Sequence, residues 1–159
     1  MKRSLMALAL AGATITLASC GETPVETPAA EAGIPGMTIT NPRLVLAPVA
    51  GNPAAVYFDL AYDGDRNLAL KGNAEVEGAK SAMFHDYGEY NFKVQMMDML
   101  PVPLKKGDKV VFEPGGKHLM AMEPSADLKP GGIAKVTILV SGGGKQTFDA
   151  PIKAAGDER

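Results

Sequence analysis

Hydrophobic and polar positions alternate along this chain with the period of a β-strand rather than a helix. Ala54-Ala55-Val56-Tyr57-Phe58-Asp59-Leu60 and Ile133-Ala134-Lys135-Val136-Thr137-Ile138-Leu139-Val140 are strand-length apolar or alternating runs. Met37-Thr38-Ile39-Thr40 and Lys109-Val110-Val111-Phe112 are shorter runs rich in β-branched and aromatic residues. Turn chemistry separates them: Gly51-Asn52-Pro53, Pro114-Gly115-Gly116, Pro130-Gly131-Gly132 and Gly142-Gly143-Gly144. No long amphipathic helix and no repeat of fixed period is visible. Short strands with regular turn signals predict an all-β domain, a sandwich or Greek-key barrel, over residues 34–153.

The first residues follow a different pattern. Lys2 and Arg3 precede an aliphatic and small-residue run, Leu5 to Leu17, too short to span a bilayer. Leu17-Ala18-Ser19-Cys20 then resembles a bacterial lipobox, so residues 1–20 read as a lipoprotein signal peptide with Cys20 as the lipidated residue. Cys20 is the sole cysteine and has no internal disulfide partner. Residues 21–33, rich in Pro, Thr, Glu and Ala and free of aromatics, read as a flexible linker. Fully extended they reach about 40 Å at ~3.3 Å per residue. The expected location is periplasmic, as a membrane-anchored lipoprotein; the residue after Cys20 is Gly21, not aspartate, which by resemblance to bacterial sorting rules disfavours inner-membrane retention.

Charge excludes one class of partner. Removal of Lys2 and Arg3 from the 16 basic residues leaves 14 against 18 acidic ones, a net of −4. With no basic patch, nucleic acid is not an expected ligand.

The specific chemical signal is histidine and methionine. The chain has two histidines, His85 and His118, and six of its nine methionines fall between residues 83 and 122. The order His85, ten residues, Met96, twenty-one residues, His118, one residue, Met120 supplies two imidazoles and two thioethers. Thioether sulfur is soft and neutral, suited to Cu(I) and poor for Zn²⁺, Mg²⁺ or Ca²⁺. Outside the cytoplasm it also avoids the disulfides that paired thiolates would form.

Geometry makes convergence feasible. On a strand launched by the Glu113–Lys117 turn, His118 and Met120 share a face and Leu119 takes the other. Met122 follows on the same face as an auxiliary donor, and Met83 lies on the face of His85. His85 and Met96 fit two strands of a hairpin: a loop at Tyr90-Asn91 pairs them directly, whereas one at Gly88-Glu89 sets His85 across from Phe92. Met97 and Met99 read as core fillers or partly exposed neighbours.

The spacing is that of the periplasmic copper chaperones called PCuAC, and Pro114-Gly115-Gly116-Lys117-His118-Leu119-Met120 resembles that family's Pro-Gly-Gly-x-His-Leu-Met segment. Lys105-Lys106-Gly107-Asp108, Leu128-Lys129-Pro130-Gly131 and Ala54-Ala55-Val56-Tyr57 also resemble family segments, so the likeness covers roughly residues 37–152. The resemblance implies a cupredoxin-like Greek-key β-sandwich binding Cu(I) through His85, Met96, His118 and Met120. It implies delivery of copper toward the CuA centre of cytochrome c oxidase, alongside a Sco-type thiol protein. No Ser-His-Asp or Cys-His arrangement is available for nucleophilic catalysis, and four protein ligands leave no open position for a substrate, so no enzymatic activity is expected. One departure is that the stretch from Asp86 to Phe92 has no methionine and lacks the family's Asp-Gly turn. Asp86 and Glu89 beside His85 also offer oxygen donors that favour Cu(II), a harder ion. A copper storage or detoxification protein uses the same donors, and a metal-free envelope binding module is the alternative in which the histidines are incidental. A blue-copper electron carrier is excluded, since its site needs a cysteine thiolate.

Overall fold

The computed structural model describes residues 33–157. The expected signal segment, Cys20 and all but the last residue of the linker lie outside the described residues. Ten strands follow one another: β1 Met37–Val45, β2 Ala54–Tyr62, β3 Leu68–Val76, β4 Ala79–Tyr90, β5 Lys93–Asp98, β6 Val102–Leu104, β7 Asp108–Phe112, β8 His118–Pro124, β9 Ile133–Val140 and β10 Lys145–Lys153. Among the described residues the helical content is one 3₁₀ turn, Ser141–Gly143. The all-β expectation holds.

The strands close into a flattened barrel. The pairing order is β4-β8-β2-β1-β10-β9-β3, and β3 returns to β4 through Asn73↔Met83 and Ala74↔Ala82. Connections are of Greek-key type, since β3 crosses away from β2 and β8 returns to lie between β4 and β2. The cross-over matters because it sets two strands far apart in sequence, β4 and β8, side by side. Alternation fills the interior. Along β2, Ala54, Val56, Phe58, Leu60 and Tyr62 all point inward and are buried. Phe58, Phe84 and Phe112 pack ring against ring, with centroids 4.5 Å apart for Phe58–Phe112 and 5.1 Å for Phe84–Phe112.

β4 is the longest strand and has two environments. Its first half is inside the barrel wall, with Ala82 and Phe84 buried. Its second half leaves the wall and pairs with β5, every residue of which is exposed. β4 and β5 thus project as a two-stranded arm, turned by Asn91 and Phe92 at φ 51° and 58°. Two successive left-handed residues are the mark of a type I′ turn, whose twist matches that of the strands.

Candidate metal centre

The site grows out of alternation on β4 and β8. Phe84 pairs with Leu119, and both are fully buried on the inner face. Their neighbours therefore face outward: His85 pairs with His118, and Met83 with Met120. Ser81 pairs with Met122, which extends the thioether row away from the histidines. An outward face on a barrel wall would ordinarily be wet. Here the β4–β5 arm lies over it, and His118 is left only 5% exposed, making it the buried polar residue among the described residues.

His118 touches one donor side chain and stacks on another. His118 Nε2 lies 3.2 Å from Met96 Sδ. The imidazoles of His85 and His118 are stacked, with centroids 5.8 Å apart and planes inclined by 26°. Tyr87 also packs against His118, with centroids 5.8 Å apart and planes inclined by 40°. Met120 is next along β8 on the same face, opposite Met83.

Hydrogen bonding defines the nitrogen that is left free. His118 Nδ1 is 2.9 Å from the Gly116 carbonyl oxygen, which can only accept, so Nδ1 carries the proton and donates. In the neutral ring Nε2 then presents a lone pair, and it faces a sulfur lone pair. Neither atom supplies a proton to the other. Two donors bound at about 2.0 and 2.3 Å to one tetrahedral ion sit roughly 3.5 Å apart, close to the separation found. His85 Nε2 approaches Asp98 Oδ1 at 3.2 Å. Its Nδ1 is buried and has no hydrogen-bond partner. A buried imidazole nitrogen without a partner is costly, and a bound metal ion would satisfy it. The donor set therefore fits a soft ion. Among the described residues there is no group of three or more His, Cys, Asp and Glu side chains placed to hold a metal.

The hairpin register differs from both sequence readings. The loop is Asn91-Phe92, which pairs Tyr87 with Met96 and His85 with Asp98. A shift of two residues preserves the face, so Met96 still reaches His118, diagonally rather than from directly opposite. The shift also brings in Asp98, which the sequence does not single out; the oxygen donors it offers beside His85 are Asp86 and Glu89. Asp86 is instead paired with Lys117, Oδ2 to Nζ at 2.8 Å, and its Oδ1 accepts the Tyr87 N–H at 2.8 Å. The Lys117 hydrogen bond holds the Asp86 carboxyl below its ordinary value, against a smaller opposing effect of burial. This pair ties β4 to the turn that carries His118. Met99 is buried in the core. Met97 is exposed on the arm and lies over Gly88, where any Cβ would collide with its methyl group.

Solved structures share this architecture. The copper-bound PCuAC domain from PmoF2 is 23% identical, with a TM-score of 0.59 over 77% of this chain and 97% of that one. The apo PCuAC domain from PmoF1 gives 22% identity and a TM-score of 0.63 over 77% and 98%. The solution structure of CuI-DR1885 from Deinococcus radiodurans gives 22% and 0.57 over 86% and 90%. At these identities the likeness establishes the fold, the cupredoxin-like sandwich that the family resemblance implied. No curated protein is a significant sequence match. The family model that matches, LpqE-like, covers residues 37–152, from the first residue of β1 to within one residue of the end of β10. The chain therefore belongs to the LpqE-like family.

Proposed function

We propose that this protein is an extracytoplasmic copper metallochaperone that carries one Cu(I) on His85, Met96, His118 and Met120. The observation that carries the reading is the meeting of the His118 Nε2 lone pair and the Met96 thioether at 3.2 Å, beside a second, stacked imidazole. His118 binds through Nε2, because Nδ1–H is committed to Gly116. His85 offers Nδ1, its nitrogen without a partner, while Asp98 holds Nε2. Met120 contributes the second sulfur from the rung beside Met83, and Met83 and Met122 serve as auxiliary thioethers. The copper-bound PmoF2 domain and CuI-DR1885 share the fold, which supports copper as the cargo.

Release follows from exposure. His118 is enclosed, but Met96 is 43% exposed on the arm. An acceptor's ligand can displace the outer, weaker sulfur first and then draw the ion from the imidazoles. Cu(I) changes ligands and no electron moves. The chain carries no catalytic activity in this account, because its domain lacks a thiol and both histidines are committed to the cargo. By family resemblance the recipient is the CuA centre of cytochrome c oxidase, with a Sco-type thiol protein as co-worker, and Cys20 holds the chain to a membrane by a lipid. The LpqE-like lipoprotein family supports that anchorage.

Titration with Cu(I) against a competing chelator tests the reading. One high-affinity ion per chain is expected, with His118→Ala and Met120→Ala each weakening it severely. Unchanged affinity in both variants rejects the assigned ligands.

A further inference from the structure

The arm ends in a feature that the copper site does not use. Phe92 is 97% exposed and Tyr90 and Val94 flank it, also exposed. The backbone makes this placement more unusual. Phe92 occupies the second centre of a type I′ turn at φ 58°, a position that favours glycine and is strained for a bulky side chain. An aromatic ring held in water on strained backbone brings no gain to the folded domain itself. Lys93, beside it, has a long apolar stem and a charge that can remain in a polar layer.

The registers say what lies at that end. Leu119 pairs with Phe84 on one side and with Val56 on the other, so β4 and β2 are level there. Both strands are antiparallel to β8 and so run in the same direction. β4 continues to the Asn91-Phe92 turn, and β2 continues to Tyr62, which pairs with Met37. The chain outside the described residues, 1–32, thus joins the domain at the same end as the turn. Val49, in the loop leading into β2, marks the opposite end and is 62% exposed.

We infer that the tip of the β4–β5 hairpin, Tyr90, Phe92 and Val94, seats in the interfacial layer of a phospholipid membrane. The choice of a lipid surface rests on the anchoring proposed above. A lipidated Cys20 at the far end of the linker holds this end of the domain within reach of the bilayer. An aromatic pair with an adjacent lysine matches the headgroup region. The Tyr87–Met96 rung lies four residues from the turn, about 13 Å at ~3.3 Å per residue. A seated tip would therefore hold the copper donors just above the lipid.

The chain has no tryptophan, so a single introduced one reports its own surroundings. Full-length Phe92→Trp and Val49→Trp chains are mixed with phosphatidylethanolamine–phosphatidylglycerol vesicles, with and without brominated acyl chains. The inference predicts a blue-shifted emission for Phe92→Trp, quenched at least twofold by bromine, and neither change for Val49→Trp. The same pair in a Cys20→Ser background separates the tip from the anchor, since the tip should still be quenched at high lipid. The mass of the purified chain reports the lipid on Cys20 independently. Unshifted, unquenched Phe92→Trp emission at saturating lipid in both backgrounds overturns the inference. So does a blue shift that depends on protein concentration without lipid, which would assign the tip to pairing between copies along the open β5 edge.

Discussion

His118 Nε2 and Met96 Sδ face each other at 3.2 Å across the β4–β5 arm, two acceptors with no hydrogen to share once Nδ1–H is bound to Gly116. A folded protein does not gain from such a contact in itself. It becomes favourable when a soft cation occupies the reach of both atoms. Replacement of Met96 by leucine keeps most of the volume and removes the sulfur. Affinity for Cu(I) in Met96→Leu should fall by about 10-fold or more while the unfolding midpoint moves little. Chelator competition and urea unfolding on the same samples separate the two effects.

Asp98 acts through His85. Its carboxylate at 3.2 Å from Nε2 favours the proton on that nitrogen and leaves Nδ1 for the metal. Loss of such an outer partner typically costs 10–100-fold in metal affinity. Asp98→Ala should lower Cu(I) affinity by roughly 10-fold, near the bottom of that range, because Asp98 is exposed. The same chelator competition reads it. Full affinity in Asp98→Ala would remove Asp98 from the site.

How much of this was legible in the sequence follows the strength of local signals. β2 and β9 announce themselves through alternation, and alternate positions along both are buried. β3, Leu68–Val76, was not read, because Lys71, Gly72 and Asn73 break its apolar pattern; it is held by β9 and β4 rather than by its own propensity. β10 was missed for Pro151, which sits in its paired run. At the site, the His-x-Met face of β8 was readable from period two. The arm's register was not, because Asn-Phe lacks the glycine that usually marks a I′ turn. Asp98 was invisible for the same reason, since only the true register sets it across from His85.

Phe84 supports the metal face from beneath. It is fully buried against Phe58 and Phe112, one residue from both Met83 and His85. Phe84→Ala should destabilise the domain by about 3–5 kcal/mol. Urea unfolding measures this, and a change below about 1 kcal/mol would mean that the ring does not carry the wall.

The Asp86–Lys117 pair predicts a small acid dependence. Lys117 lowers the folded-state value of Asp86 below the 3.8 of an unfolded aspartate. Its contribution is therefore fully present above 3.8 and is lost as pH falls below that value through the lowered one. Both side chains are more than a third exposed, so the loss should stay below about 1 kcal/mol. Asp86→Asn should flatten the part of the stability profile that lies below 3.8, followed by thermal unfolding at successively lower pH.

Phe92 carries a conformational cost that glycine would not. Phe92→Gly should relieve the strain of the turn at φ 58°. It should raise stability by roughly 0.5–1 kcal/mol after the entropic cost of glycine is deducted. A higher unfolding temperature with unaltered Cu(I) affinity is the expected result. A lower one would mean that the ring packs usefully on the folded domain.

Copper K-edge X-ray absorption of the Cu(I)-loaded chain, compared with that of Met96→Leu, reads the donor atoms around the ion themselves. Two nitrogen and two sulfur scatterers are expected in the wild-type shell, with one sulfur lost in the variant. A wild-type shell of nitrogen and oxygen without sulfur would contradict that expectation.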